Sequence, residues 1–149
     1  MKTISPFLLA CLWLISSQAW SESADTRTII WLKDAEKTAL LAEMRGFLSA
    51  SQQILEAALA EEADTVEQAA RPMGVKLMKS TPDSLKAKLP KGFGELGSKT
   101  HLGFEEIANE AAGIGDTTVI LKQLAKLQTN CIACHATFQF KIGSVRNID

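Results

Sequence analysis

Residues 116–138 read DTTVILKQLAKLQTNCIACHATF, and this stretch combines a helix signal with the most distinctive motif of the chain. Asp116 is a favoured N-cap residue, so it marks the start of a helix. Apolar residues and the motif residues then recur at spacings of three and four, which is the spacing of one helical face. They are Ile120, Leu124, Leu127, Cys131, Cys134, His135 and Phe138. The pattern predicts a last helix whose buried face carries both cysteines and the histidine.

Three more amphipathic helices are predicted upstream, over about residues 34–59, 64–73 and 92–112. The first of them has the longest apolar stripe, again with spacings of three and four. Its members are Leu40, Met44, Phe47, Leu48, Ser51, Ile54, Leu55 and Ala58. Four amphipathic helices with short connections predict an all-α fold, arranged as an antiparallel four-helix bundle.

The segments outside these helices are predicted to be irregular. Residues 75–92 contain two prolines and read as a loop with one short turn. Trp31 and Leu32 are interpreted as an N-terminal extension of the first helix. No strand is predicted, since the chain contains no Asn-Gly or Asp-Gly hairpin signal.

Residues 1–19 have a composition different from the rest of the chain. Lys2 supplies a short positive start, and residues 7–15 are an apolar run. This layout is typical of a secretory signal peptide, and the run is too short to span a bilayer. We expect cleavage after Ala19, which leaves residues 20–149 as one domain; a retained N-terminal anchor is the alternative.

Cleavage would leave 15 basic and 17 acidic residues, a net charge of −2, because only Lys2 among the charged residues is removed. This balance argues against nucleic acid as a partner, which would require a basic face. There is no polybasic membrane patch either, and no catalytic constellation that indicates an enzyme. Cleavage would also remove Cys11, so that only Cys131 and Cys134 remain.

The sequence Cys131-Ile132-Ala133-Cys134-His135 is C-x-x-C-H, the attachment signature of c-type haem. Each sulfur adds to one haem vinyl group, and two intervening residues match the separation of the vinyls. The histidine that follows can then ligate the iron. A thiol–disulfide site usually occurs in a βαβ unit, and a zinc site would need a fourth ligand, for which His101 is the only other histidine.

The whole predicted mature chain resembles the class II cytochromes c, the cytochrome c-prime family. The resemblance depends on the signal peptide, the four helices and the position of Cys131, Cys134 and His135 in the last helix. It implies one covalent haem c packed within the bundle, with the first helix on its distal side. In some members a methionine of that helix ligates the iron and the protein carries electrons. Other members leave the position open and bind nitric oxide or carbon monoxide, and many dimerise through their first helices.

The resemblance makes Met44 the leading candidate for the sixth ligand, because it is the only methionine of the predicted first helix. In much of the family an arginine precedes the distal residue by about one turn. Here Arg45 follows Met44, and counting forward from Arg45 reaches Leu48 or Ser49. Three alternatives remain. Met44 could be an ordinary core residue, Leu48 could line an iron position that has no sixth ligand, or His101 could be the ligand.

We therefore expect a periplasmic c-type cytochrome that transfers one electron between redox partner proteins. The alternative is a five-coordinate protein that binds small gas ligands, with access controlled by Phe47 and Leu48. In either case the sequence predicts no membrane anchor after cleavage. The resemblance also makes a homodimer one possible oligomeric state.

Overall fold

The computed structural model describes residues 24–143, so the expected signal segment 1–19 lies outside the described residues. Within them the chain is mostly helical, with one short strand at each end. The elements, in chain order, are β1 (Thr28–Leu32), α1 (Asp34–Leu59), α2 (Ala63–Ala70), a 3₁₀ turn (Arg71–Met73), α3 (Val75–Ser80), α4 (Asp83–Lys86), α5 (Lys91–Ala112), α6 (Thr117–Thr137) and β2 (Phe138–Ile142). The coarse all-α prediction is confirmed, apart from the two strands.

Helix α1 begins and ends where its periodicity predicts. At its start, the Glu36 carboxylate accepts a hydrogen bond from the Lys33 backbone N–H, at 2.9 Å. Asp34 and Glu36 both lie in the first turn, where negative charge favours the helix dipole. At the other end Glu61 adopts a left-handed conformation, with φ of 59°, and turns the chain into α2.

Residues 75–92 are more regular than predicted, because they contain α3, α4 and the start of α5. Gly74 lies directly before α3 and has no room for a side chain. A Cβ there would overlap the Glu105 carboxylate, which accepts a hydrogen bond from the Val75 backbone N–H at 3.0 Å. Arg71 also binds Glu105, at 2.7 Å, so α5 holds the segment between α2 and α3 in place.

Helices α5 and α6 form an antiparallel hairpin closed by a short turn. Gly115 in this turn has a φ of +72°, a conformation that favours glycine. Asp116 caps α6 as predicted, and its side chain accepts a hydrogen bond from the Val119 N–H at 3.0 Å. Gly103 lets the two helices approach closely, since a Cβ there would lie 3.0 Å from Leu127.

The main core lies between α1, α2, α5 and α6. Its largest fully buried side chains are Ile54, Val66, Phe104, Ile107, Ile120 and Leu127. A smaller cluster, here called the cleft cluster, lies between β1, α4 and the N-terminal parts of α1 and α5. Its buried members are Ile30, Leu32, Leu40, Leu85 and Phe93. The helices are therefore held by one large apolar core and a second, smaller one.

The strands correct the prediction that the chain has none. β1 and β2 pair in parallel, with Thr28 opposite Phe138 and Leu32 opposite Ile142. Trp31 and Leu32 belong to β1, so they do not extend α1 as expected. A parallel pair needs a long crossover connection, and here all the helices serve as that connection.

Among residues 24–143, the helices are all too short or too polar to cross a membrane.

Replacing Phe104 tests the packing of the main core. Phe104→Ala should lower the free energy of unfolding by about 3–5 kcal/mol, because it removes a fully buried ring and leaves a cavity. The neighbouring Leu102 is 47% exposed, so Leu102→Ala should cost less than about 1 kcal/mol. Urea unfolding followed by circular dichroism measures both. Equal losses in the two variants would contradict the described packing.

Candidate functional site

The C-x-x-C-H motif occupies the last turns of α6, next to the chain's entry into β2. Cys131 and Cys134 are half-buried free thiols. His135 is exposed, so the expectation that all three residues lie on a buried face is wrong for the histidine. The reason is that the last turn of α6 lies beside a surface cleft, here called the motif cleft.

The motif cleft has a volume of about 310 Å³ and brings together residues distant in sequence. Cys134 and His135 form one part of its wall, and Met44 lies on the wall contributed by α1. The other lining residues are Arg27, Lys37, Leu41, Phe93, Phe138, Gln139 and Phe140. The cleft therefore combines a thiol, an imidazole, a thioether, aromatic walls and two cations.

Aromatic side chains fix one wall of the motif cleft. The ring of Phe93, from α5, meets Phe138 edge to face at a centroid distance of 5.6 Å. It also meets Phe140 at 5.7 Å. Phe138, Phe140, Met44 and Cys134 all pack against the cleft cluster. This wall is an apolar surface backed by buried side chains, which suits a large apolar ligand.

Met44 is the distal candidate that the structure brings to the cleft. It shares the cleft wall with Lys37 and Leu41, which precede it on α1 by seven and three residues. Leu48, in contrast, is 73% exposed and does not line the cleft. Phe47 stacks on Phe104 of the main core, at a centroid distance of 5.4 Å. Neither Phe47 nor Leu48, the residues expected to control access, lines the motif cleft.

The two cysteines contact different parts of the interior. Cys134 lines the motif cleft and packs against the cleft cluster, whereas Cys131 packs against the main core and is not on the cleft wall. Burial raises the pKa of both thiols, and the neighbouring Cys131 charge raises the pKa of Cys134 further. At neutral pH both side chains are thus uncharged thiols.

Arg27, from the segment before β1, fixes the end of the motif helix. Its Nη1 donates to the carbonyl oxygens of His135 and Phe138, at 3.3 and 3.5 Å. Asp25 accepts hydrogen bonds from the same guanidinium, and this holds the pKa of Asp25 at about 2. The Gln139 amide returns a bond to the Arg27 carbonyl, at 3.2 Å. Carbonyls that the helix end leaves without intrahelical partners are thereby bound.

Sequence reasoning missed several of these residues. Lys37 and Leu41 could have been found by counting back from Met44 at helical spacing. Phe138 is predicted to lie on the last helix, but it begins β2. The alternation Phe-Gln-Phe-Lys-Ile is a strand signal from which Phe138 and Phe140 could have been assigned to β2. Arg27 carried no signal, since its place beside His135 depends on the pairing of the two strands.

His101 lies outside the motif cleft and is bound at both ring nitrogens. It is 4% exposed, with Nδ1 2.8 Å from the Met73 carbonyl oxygen and Nε2 3.3 Å from the Glu43 carboxylate. Burial by itself would lower its pKa, but the bonds to Glu43 and the Met73 carbonyl outweigh burial and raise the pKa above the usual value. His101 thus connects α5 to α1 and to the 3₁₀ turn.

Within residues 24–143, no group of three or more His, Cys, Asp or Glu side chains lies closely enough together to hold a metal ion. The zinc alternative, which needed His101 beside the motif, therefore receives no support. Comparison of the chain with protein-family models, curated proteins and solved structures finds no match.

The raised pKa of His101 predicts a specific pH dependence. The pair with Glu43 stabilises the fold below the unfolded-state pKa of about 6.5, and this contribution is lost as pH rises through the higher folded-state pKa. Wild type should therefore exceed Glu43→Gln in unfolding free energy near pH 6, and the difference should shrink towards pH 9. Urea titrations at each pH measure it, with the exposed Glu106→Gln as control. A difference independent of pH would contradict the ion pair.

Proposed function

We propose that this protein is a c-type cytochrome that carries single electrons on one haem, attached through Cys131 and Cys134. His135 is the proximal ligand and Met44 the sixth. The observation that carries the proposal is the motif cleft, where the C-terminal half of a C-x-x-C-H motif faces a methionine of α1 across aromatic walls. We further infer that α1, α2, α5 and α6 form the antiparallel four-helix bundle of a class II cytochrome c, with the haem on α6.

The donor set of the motif cleft fits a covalent haem. Haem is a flat, largely apolar ring with charged propionates, and the cleft has apolar walls with Arg27 and Lys37 on its lining. Cys134 is on the wall, and Cys131 lies one turn before it on α6, against the main core. His135 is exposed and lines the same cleft.

When bound, the haem would supply a one-electron Fe(III)/Fe(II) couple. The protein's part is to set the potential of that couple through axial ligands, burial and hydrogen bonding. A thioether from Met44 would favour ferrous iron and raise the potential. Leu41, Phe93 and Phe140 would exclude water from the ring, and Arg27 would hold the backbone of His135 in position.

C-x-x-C is also the motif of thiol oxidoreductases, but the raised pKa values of both thiols disfavour that function. Reactive cysteines have lowered pKa values, often at a helix N-terminus, because the thiolate is the nucleophile. Here burial raises both thiol pKa values, and the motif lies at the C-terminal end of α6, where the helix dipole opposes negative charge. In a c-type cytochrome, by contrast, the sulfurs only attach the haem and take no part in a reaction cycle.

The proposed location is the periplasm. Attachment of c-type haem takes place outside the cytoplasm, and residues 1–19 have the pattern of an export signal. The gas-binding alternative has no comparable structural argument, because Leu48 lies away from the cleft and Met44 lies on it. The axial ligation of the haem distinguishes the two roles.

Replacing the cysteines tests haem attachment. Protein from cells competent in cytochrome maturation should be red and should keep its haem through acid–acetone extraction. Cys131→Ser and Cys134→Ser should each remove one thioether and shift the absorption bands of the reduced protein to the red. The double variant should release its haem on extraction. Wild-type protein that matures without any haem absorption would rule out the cytochrome.

Replacing Met44 tests the sixth ligand. The ferric wild type should be low-spin, with a weak charge-transfer band at the red end of the spectrum from the sulfur–iron bond. Met44→Ala should abolish this band, lower the potential and admit carbon monoxide to the ferrous iron. Met78→Leu, in α3 and away from the cleft lining, is the matched control and should change none of these. A high-spin wild type that binds carbon monoxide would leave Met44 as core and favour the gas-binding role.

A further inference from the structure

The part of α1 that carries Met44 lies between two buried stretches of the helix. Leu40 is buried in the cleft cluster, and the next buried residue of α1 is Ala50, in the main core. Residues 41–49, about two and a half turns of helix, therefore contain no fully buried side chain. Because tertiary packing supplies most of the stability of a protein helix, the position of this segment depends on its other contacts.

One polar contact ties segment 41–49 to another element. The Glu43 carboxylate lies 3.3 Å from Nε2 of His101, on α5. Among the residues that the structure describes, no other side chain of this segment forms a hydrogen bond or an ion pair outside α1. Glu43 directly precedes Met44, so the contact acts on the turn of helix that presents the thioether to the motif cleft.

The ring of His101 is itself held from a second side. It is 4% exposed, and its Nδ1 lies 2.8 Å from the Met73 carbonyl oxygen in the 3₁₀ turn. A carbonyl and a carboxylate are both acceptors, so both contacts are hydrogen bonds when both ring nitrogens carry protons. The ring is then an imidazolium, whose hydrogen bonds are stronger than those of a neutral ring.

Apolar contacts reinforce the pair on the same face of α1. Phe47 meets the His101 ring edge to face, at a centroid distance of 5.1 Å. Gly46 leaves room for Met73, whose Sδ would lie 3.4 Å from a Cβ at position 46. Gly46 and Phe47 follow Glu43 by three and four residues, which places all three on one side of the helix. We call this set of contacts the His101 anchor. It comprises Glu43, Gly46, Phe47, Met73 and His101.

We propose that His101 is the positioning residue for Met44: through Glu43 it fixes the turn of α1 that carries the thioether, and so holds the thioether on the wall of the motif cleft. Met44 lies one residue after Glu43, about 100° round the helix, so a shift of this turn would move the thioether relative to the cleft. The role of the anchor towards iron rests on the proposed cytochrome function. Its role in placing Met44 on the wall does not.

Positioning and simple electrostatics change the potential in opposite directions. Without the anchor, α1 would keep its two buried ends while its middle shifted or fluctuated. A thioether that leaves the iron for part of the time would weaken the sulfur–iron band, lower the potential and admit carbon monoxide. Removing a carboxylate near the haem by its charge alone would disfavour ferric iron and raise the potential. The sign of the change therefore separates the two effects.

Replacing Glu43 tests the anchor from its α1 side. In Glu43→Ala the sulfur–iron band should lose most of its intensity and the potential should fall. The carbon monoxide affinity of the ferrous protein should rise about tenfold, the factor that corresponds to one lost hydrogen bond of a charged group. Glu43→Gln, whose amide oxygen can accept from Nε2 of His101, should restore the band.

Two control variants separate the anchor from general effects. Glu56→Ala removes an exposed carboxylate from the same helix, so it matches the change in charge. Val66→Ala weakens the buried main core, so it matches the loss of stability. Both should keep the sulfur–iron band and the potential of the wild type.

The methionine methyl groups give a readout that does not depend on a sulfur–iron bond. The chain has four methionines, and the expected cleavage removes Met1 and leaves Met44, Met73 and Met78. In mature protein labelled with methyl-¹³C methionine, the Met44 signal should shift or broaden in Glu43→Ala. It should stay in place in Glu56→Ala, with Met78 as the internal reference.

Two results would overturn the positioning role. One is a Glu43→Ala protein that keeps its band and has a raised potential, since Glu43 would then act only through its charge. The other is a Val66→Ala protein that loses the band to the same extent, which would indicate a general loosening of the helices. A wild type without a sulfur–iron band would instead contradict Met44 as the sixth ligand. The methyl signals would then decide the positioning role: a Met44 signal unchanged in Glu43→Ala overturns it, and a shifted one supports it.

Discussion

The candidate site depends on the contacts that fix the end of α6 and the following strand β2 against α5 and β1. Phe138 and Phe140 follow α6 directly and pack on Phe93, while β2 pairs with β1 and Arg27 binds the His135 carbonyl. Apolar burial and backbone hydrogen bonds thus act on the same few residues. Without them the last turn of α6 would have no fixed position relative to Met44, and the cleft would have only one wall.

The two apolar clusters stabilise different parts of the fold. The main core, around Phe104 and Ile107, holds the long helices together. None of its buried residues lines the motif cleft. The cleft cluster is smaller and supports the cleft wall. His101 of α5 is paired with Glu43 of α1. Along each helix this pair lies between a residue of the cleft cluster and a residue of the main core. A ligand in the cleft would therefore add burial beside the smaller of the two apolar clusters.

Much of this architecture could be predicted from local patterns. The three- and four-residue spacing fixed the bounds of α1 and α5, and Asp116 marked the start of α6. The feature that could not be predicted was a pairing between residues distant in the sequence. β1 and β2 are about 110 residues apart in the chain, so their pairing has no short-range signal, although each strand is rich in β-branched or aromatic residues.

The candidate site shows the same division. The motif identified Cys131, Cys134 and His135 by spacing alone, and the apolar stripe of α1 included Met44 but could not separate it from Leu48. Helical periodicity assigns a face to a residue. It does not say where along the helix neighbouring elements stop covering that face. The exposure of Leu48 and His135 could therefore not be predicted from the spacing.

Covalent haem attachment is measured most directly by the intact mass of the mature protein, isolated under denaturing conditions from cells competent in cytochrome maturation. Attachment predicts the mass of the chain from about residue 20 plus one haem, with the added mass found on the peptide containing Cys131 and Cys134. A mature chain of unmodified mass would contradict it.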